Sequence, residues 1–255
     1  MDIRKIKITP QWSKNKKEIW DEMFECIAGD DSIKPAKKWV SYLKYAAILI
    51  IAVLLFGSLY KIENKTAFGQ HLTIYLPDSS RVILNAGSKI TYRPYLWFAF
   101  RSVKLEGEAF FEVKQGCRFS VISGQNQVYV HGTTFNVFTR PEMYRVTCLT
   151  GRVGVHINNE TFSLEQGMQV TLRSQKPQIE KNMICAMGWM SEKFVFTEIP
   201  LPEVVAEIER QYNIRVTADK AMNQLYTGYF LKTEHPEDAL EIIGKPFGIT
   251  FKIER

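Results

Sequence analysis

Between Tyr45 and Tyr60 the chain carries sixteen residues without a charge, YAAILIIAVLLFGSLY, and this run constrains the fold more than any other feature. Sixteen helical residues reach only ~24 Å, short of the roughly 30 Å hydrocarbon core of a bilayer. Counted from Trp39 the run has 22 residues, about 33 Å of helix. Lys44 is then its one charge, close enough to an end for its stem to snorkel. The nine Ile, Leu, Val and Phe side chains of residues 45–60 should favour insertion by roughly 3–5 kcal/mol. Trp39 and Tyr60 stand where an aromatic belt would place them. A buried core helix that is apolar on every side suits lipid better than a chain of this size. A cleaved leader fits poorly, because some 40 residues precede the run and no A-x-A site follows it. Lys34, Lys37, Lys38 and Lys44 precede the span, and only Lys61 and Lys65 closely follow it. That asymmetry predicts a cytoplasmic N-terminus and an exported C-terminal part.

The expected organisation is a cytoplasmic segment over 1–38, a membrane helix over 39–61, a β domain over 62–180 and an α+β domain over 185–255. In the first segment Ile19, Trp20, Met23, Phe24 and Ile27 recur at helical spacing, with Trp12 on roughly the same face. Glu18, Asp21, Glu22 and Glu25 take the other positions. Ser13 can cap the start, and Gly29 suits the left-handed residue past the end. So short a segment cannot bury an aromatic stripe against itself, so the stripe needs a partner. An acidic polar face argues against anionic lipid and for a docked protein. The net charge of +6 divides into +3 over residues 1–44 and +3 over the rest, which leaves no basic stripe for direct nucleic-acid binding.

After the span the period becomes two. Val103, Leu105, Gly107, Ala109, Phe111 and Val113 alternate with Lys104, Glu106, Glu108, Phe110, Glu112 and Lys114. Only Phe110 breaks the pattern of one buried and one wet face. Val153/Val155/Ile157 and Met168/Val170/Leu172 repeat the rhythm. Turn signals such as Pro77-Asp78, Ala86-Gly87 and Gln166-Gly167 fall between the runs, as in an all-β sandwich, roll or solenoid. Beyond residue 180 the order is strand (194–196), helix from Pro202, strands (214–216 and 226–230), helix from Pro236 and a closing strand over 248–253. The helix from Pro202 places Val204, Val205, Ile208 and Tyr212 on one face.

No catalytic constellation stands out. Glu106, Glu108 and Glu112 could serve a glycoside hydrolase as paired carboxylates, but with Lys104 and Lys114 beside them a solvated charged face is the ordinary reading. His71, His131, His156 and His235 lack metal-ligand spacing, and surface strand positions account for most of them. Cys117, Cys148 and Cys185 are odd in number on the exported side, so at least one stays free or pairs between molecules. No metal, cofactor or enzyme activity is expected.

The stretches LPDSSRVILNAGSKITY (76–92), VKLEGEAFFEV (103–113), HGTTFNV (131–137), RVTCLTGRVGV (145–155) and LEQGMQV (164–170) resemble, in order, the FecR-like transmembrane anti-sigma factors. Residues 189–255, with WMSEKFVF, EVVAEIERQYNI and TGYF, are similar to the C-terminal domain of that family and to the short N-terminal fold of secretins and TonB-dependent receptors. The resemblance implies a mainly β periplasmic domain of β-roll or solenoid type, a small α+β C-terminal domain and a single N-terminal transmembrane helix in the inner membrane. It implies an extracytoplasmic-function sigma factor held by the cytoplasmic segment, where the stripe of Trp12, Ile19, Trp20, Met23, Phe24 and Ile27 supplies the docking candidates. On the periplasmic side it implies the signalling domain of a TonB-dependent receptor. Leu76, Pro77, Asp78, Leu84, Asn85, Gly107, Glu108, Phe110, Phe111, Gly132, Thr133, Phe135 and Asn136 match the family pattern, mostly as fold-forming residues. Ser79 stands where Gly is usual, Arg118 where Pro is common and His131 where an aliphatic is usual. Relatives commonly carry several helices before the span and this chain one convincing helix, so the alternative is a membrane-anchored periplasmic binding module without sigma-factor control. The chain stops soon after Phe251, which would leave its last strand short.

Overall fold

The computed structural model describes residues 13–28, 37–141, 143–173, 176–181 and 187–254, and within these the side chains of 26–28, 37–41, 56 and 58 are not described. The chain divides into two compact units, Met1–Leu54 and Leu55–Arg255. In the first, helix α1 covers Lys16–Ala28. It starts later than a Ser13 cap would set it. The Asn15 N–H donates to the Glu18 carboxylate at 3.0 Å, and the Asn15 carbonyl accepts the Ile19 N–H at 3.2 Å. Asn15 therefore caps the helix, with Glu18 reaching back as in a capping box. Gly29 and Trp12 lie outside the described residues.

Helix α2 covers Lys37–Leu59, 23 residues or about 35 Å. Leu43, Ile48, Ile50 and Val53 are all more than half exposed on it. Counted over the described residues, no helix is long and apolar enough to cross a membrane. The structure does not support the span expected over 39–61, which rests on the sequence alone.

The second unit is mainly β, as the period-two runs require. Among the described residues thirteen strands form one sheet: β1 (Ile62–Lys65), β2 (Leu72–Tyr75), β3 (Arg81–Leu84), β4 (Lys89–Tyr92), β5 (Arg101–Glu112), β6 (Phe119–Ser123), β7 (Asn126–Val130), β8 (Thr134–Arg140), β9 (Met143–Thr150), β10 (Arg152–Ile157), β11 (Glu160–Glu165), β12 (Met168–Arg173) and β13 (Lys176–Lys181). The sheet curls into a half-barrel. The twelve-residue strand β5 organises it, because its two halves have different neighbours. Val103–Glu106 pairs with β4, and Arg101–Lys104 runs parallel to β6. Ala109–Glu112 pairs with β3, and Gly107–Glu112 with β8. Both arms turn their apolar faces to one core, where Phe111, Phe119 and Phe135 are fully buried. Phe111 stacks on Phe135 at 5.0 Å. Each such side chain contributes about 2 kcal/mol relative to exposure.

The exchange of neighbours falls at Gly107. Its φ is +104°, and a Cβ there would lie 2.7 Å from the Ser88 Cα. Gly132 likewise lets the Gln115 backbone approach, its absent Cβ falling 2.7 Å from the Gln115 Cα. At Ser79, where the family usually has Gly, φ is +63°. The turn there is held by Ser79 N–H to the Leu76 carbonyl at 2.8 Å and Ser80 N–H to the Asp78 carboxylate at 3.0 Å.

Beyond residue 187 a smaller α+β layer follows: β14 (Lys193–Pro200), α3 (Leu201–Tyr212), β15 (Arg215–Ala218), β16 (Leu225–Leu231), α4 (Pro236–Gly244) and β17 (Phe251–Glu254). β14 pairs with β16, and all four residues of β17 pair with β15, so that ladder is complete across the strands present. Pro202 and Pro236 sit in the first turns of α3 and α4, where a missing N–H costs nothing. Leu201, Val204, Ile208 and Ile243 fill the second core, and Phe138 and Met143 from the large sheet complete it.

Gly107→Ala is expected to lower unfolding stability by about 2–3 kcal/mol, combining a strained φ with a backbone clash. Urea denaturation measures it; an unchanged midpoint would show that β5 absorbs a Cβ at this crossing.

Candidate functional site

Among the family-matched residues the fold buries Leu76, Asn85, Glu108, Phe110, Phe111, Thr133, Phe135 and Asn136, and leaves Pro77 and Gly132 exposed. Phe111 and Phe135 are core aromatics. Asp78 pairs with Arg101, tying the β2–β3 turn to the start of β5. Three of these residues meet in a buried polar junction. Asn85 Nδ2 donates to Glu108 Oε2 at 2.7 Å, and Asn136 Nδ2 donates to Glu108 Oε1 at 2.8 Å. The Glu108 N–H donates to Ser88 Oγ at 2.9 Å, while the Glu108 carbonyl accepts the Asn85 N–H at 3.0 Å.

Glu108 therefore departs from the wet face that its alternation predicts: it is 3% exposed. Helix α3 is the reason, since it delivers its own polar residues to this side of β5. Gln211 Nε2 donates to Asn85 Oδ1 at 2.7 Å and to Glu207 Oε1 at 2.8 Å. Arg210 holds Glu207 Oε2 through Nε at 3.0 Å and Nη2 at 2.7 Å. Arg140 donates to the carbonyls of Ala86 and Gly87, closing the turn that carries Asn85. His71 rests on Trp189 at 5.2 Å between ring centroids and lies 3.2 Å from Gln211 Oε1.

Glu207, Arg210, Gln211 and Arg140 are not among the residues that the sequence pattern singles out. One signal was present. Gln211 follows Val204 by seven and Ile208 by three, so a polar amide sits on the apolar stripe of α3 and is 3% exposed.

Burial is the largest influence on Glu108 and pushes its carboxyl above the ordinary 4.5; the nearby Glu207 charge pushes the same way. Arg145, Asn136 and Asn85 oppose them. Both Glu108 oxygens already accept amide donors, so the group is engaged rather than poised for proton transfer. The other two glutamates point elsewhere. Glu106 pairs with Lys89 at 2.8 Å, and Glu112 with Arg81 at 2.7 Å. The three carboxylates are not gathered around one site.

Beside the junction lies a cavity of about 180 Å³ lined by Phe138, Arg145, Arg173, Trp189 and Phe196 among others. Among the described residues no group of three or more His, Cys, Asp or Glu could hold a metal ion. His156 lies in β10, whereas His71, His131 and His235 lie outside strands. Cys117 is exposed and free; Cys148 is buried and free, its thiol pushed up to about 11 by burial. Cys185 lies outside the described residues.

On α1 three of the expected docking residues, Trp20, Met23 and Phe24, are exposed. Trp20 and Met23 are each 50% exposed and Phe24 60%, with the Trp20 and Phe24 rings 5.7 Å apart. Ile19 is half-buried, Ile27 lies in the helix with its side chain not described, and Trp12 is outside the described residues. Lys14 pairs with Glu22 at 2.7 Å on the polar side.

Residues 63–154 match the model of the FecR protein family, and residues 193–255 match that of the FecR C-terminal domain. The chain belongs to the FecR family. Asn85, Glu108 and Asn136 fall in the first match and Glu207, Arg210 and Gln211 in the second, so the polar junction joins the two family domains. A crystal structure of a candidate anti-sigma factor from Parabacteroides distasonis, at 2.50 Å, superposes with a TM-score of 0.72 and 26% identity, covering 77% of this chain and 96% of that one. A second from the same organism, at 1.65 Å, gives 0.71 and 26%, covering 76% and 95%. No curated protein matches the sequence.

The raised Glu108 carboxyl fixes the sign of a pH effect. The folded chain holds this proton more tightly than the unfolded chain, so the contribution is full below about 4.5 and is lost as pH rises through the folded value. Glu108→Gln removes the titration. Thermal unfolding of both proteins between roughly pH 4 and 8 should show the original chain losing ground to the variant as pH rises; parallel profiles would contradict this.

Proposed function

We propose that this FecR-family chain is a membrane-spanning anti-sigma regulator. In this reading α1 holds an extracytoplasmic-function sigma factor in the cytoplasm through Trp20, Met23 and Phe24, with Ile19, Ile27 and Trp12 beside them. Helix α2 crosses the inner membrane. The curled sheet and the α+β layer stand in the periplasm, where they receive the signalling domain of a TonB-dependent outer-membrane receptor.

The observation that carries the reading is the exposed aromatic stripe of α1, in a chain of which 77% superposes on a candidate anti-sigma factor. An apolar face with an acidic reverse side suits a protein groove better than a lipid surface. Lys34 ahead of α2 and Lys37, Lys38 and Lys44 in its N-terminal part support the orientation, and the apolar exposure along it supports a lipid surrounding. The action is binding rather than turnover, in keeping with a Glu108 whose oxygens are occupied and with Glu106 and Glu112 held in surface ion pairs.

Trp20→Ala and Phe24→Ala should each remove about 2 kcal/mol of sigma-factor affinity, roughly a thirtyfold weakening. Transcription from the sigma factor's promoters should then rise without inducer. Glu22→Ala should change little, because its ion pair with Lys14 is exposed. Unaltered transcription at normal protein level in both aromatic variants would leave a membrane-anchored periplasmic binding module without sigma-factor control.

Topology has a separate test. A reporter joined after Arg255 should read as exported and one inserted before Trp39 as cytoplasmic, and a cytoplasmic C-terminal reporter would overturn the arrangement.

A further inference from the structure

The segment 93–100, RPYLWFAF, joins β4 to β5 and places large apolar side chains in water. Tyr95 is 60% exposed, Phe98 84% and Phe100 68%. A loop of this kind normally turns such rings inward, and a cluster left outside marks a docking surface. These rings are not loosely held. Trp97, between them, is 6% exposed and packs edge-on against Tyr92 at 5.8 Å and Phe119 at 6.0 Å. The Ala99 and Phe100 N–H groups both donate to the Leu96 carbonyl, at 3.1 and 2.9 Å. The loop is thus anchored through one aromatic and presents the others on a fixed turn.

The position of the cluster indicates what covers it. The Tyr60 ring lies 5.2 Å from that of Tyr95, and Tyr60 directly follows Leu59, the last residue of α2. At Gly57, inside the last turn of that helix, a Cβ would stand 3.5 Å from the Tyr95 Cβ. The exposed rings are therefore continuous with the end of the chain's most apolar segment. Lys61 and Arg93, both exposed, flank the cluster with positive charge suited to lipid phosphates.

We propose that Tyr95, Phe98 and Phe100, with Leu59 and Tyr60, form a membrane-surface anchor that seats the β domain on the outer leaflet of the bilayer crossed by α2. The inference rests on the proposed span. Aromatic rings favour the headgroup boundary, and a rigid loop delivers three of them without the ordering cost of a flexible one. A protein partner would meet the same rings only by lying along the membrane where α2 emerges, so lipid is the occupant the geometry favours.

The test uses the full chain in phosphatidylcholine/phosphatidylglycerol vesicles, with Cys26, Cys117 and Cys185 replaced by serine and buried Cys148 retained. An environment-sensitive fluorophore is attached in turn at Phe98→Cys, at Phe100→Cys, at Leu54→Cys within the proposed span, and at Glu160→Cys on β11 at the sheet edge remote from β4. Lipids with a nitroxide near the headgroup should quench emission from positions 98 and 100 by roughly half, as for groups ~5–10 Å into the boundary, and leave position 160 unchanged. Deeply placed nitroxide should quench position 54. Positions 98 and 100 as wet as 160, with 54 quenched, would overturn the anchor and leave the span standing. An unquenched position 54 would remove both.

Discussion

A carboxylate withdrawn from water must be met by donors, and Glu108 is the place where this fold has to satisfy that demand. Uncompensated, a buried charge costs several kcal/mol. Here the compensation is drawn from separate elements: Asn85 after β3, Asn136 on β8, and through Asn85 the Gln211 amide of α3. Each donor arrives only when its own element is correctly placed. Satisfying one carboxylate therefore sets β3, β5 and β8 against one another and fixes where α3 lands. Glu207 brings a negative charge close by, and Arg210 pairs with it from one turn further along the same helix. The apolar cores supply most of the stabilisation, but they are tolerant of small shifts, whereas this network accepts few arrangements.

The long strand β5 makes the junction possible. Its first half belongs to one arm of the curled sheet and its second half to the other, and the exchange is set by the Gly107 backbone lying against Ser88. Glu108 is the next residue. Its backbone is held by Ser88 Oγ while its side chain faces the C-terminal layer. The bend and the buried carboxyl are thus neighbours in sequence and parts of one device.

How much of this was legible in the sequence differs by element. The alternation over 103–113 marked β5 and its core face correctly, because Val103, Leu105, Ala109 and Phe111 depend only on the period of a strand. The same alternation assigned Glu108 to water, since a period describes one element and carries no record of what packs on its other face. The helix from Pro202 was visible from its apolar stripe, while Gln211 passed unremarked although it sits on that stripe. Asn85, Glu108 and Asn136 were singled out by family resemblance; their spacing in the chain says nothing of their meeting. Helix α1 began at Asn15 rather than Ser13 because the Glu18 carboxylate reaches the Asn15 amide, a choice between two capping residues that composition does not settle.

The central claim is that the two family domains are joined energetically through the Asn85–Gln211 hydrogen bond and its neighbours, and a double-mutant cycle tests it most directly. Unfolding free energies of the original chain, Asn85→Ala, Gln211→Ala and the double variant, measured in denaturant, give the coupling between the residues. The account predicts a coupling of about 1–2 kcal/mol, in the range for side chains sharing a network. Additivity to within about 0.3 kcal/mol, the behaviour of independent sites, would contradict it.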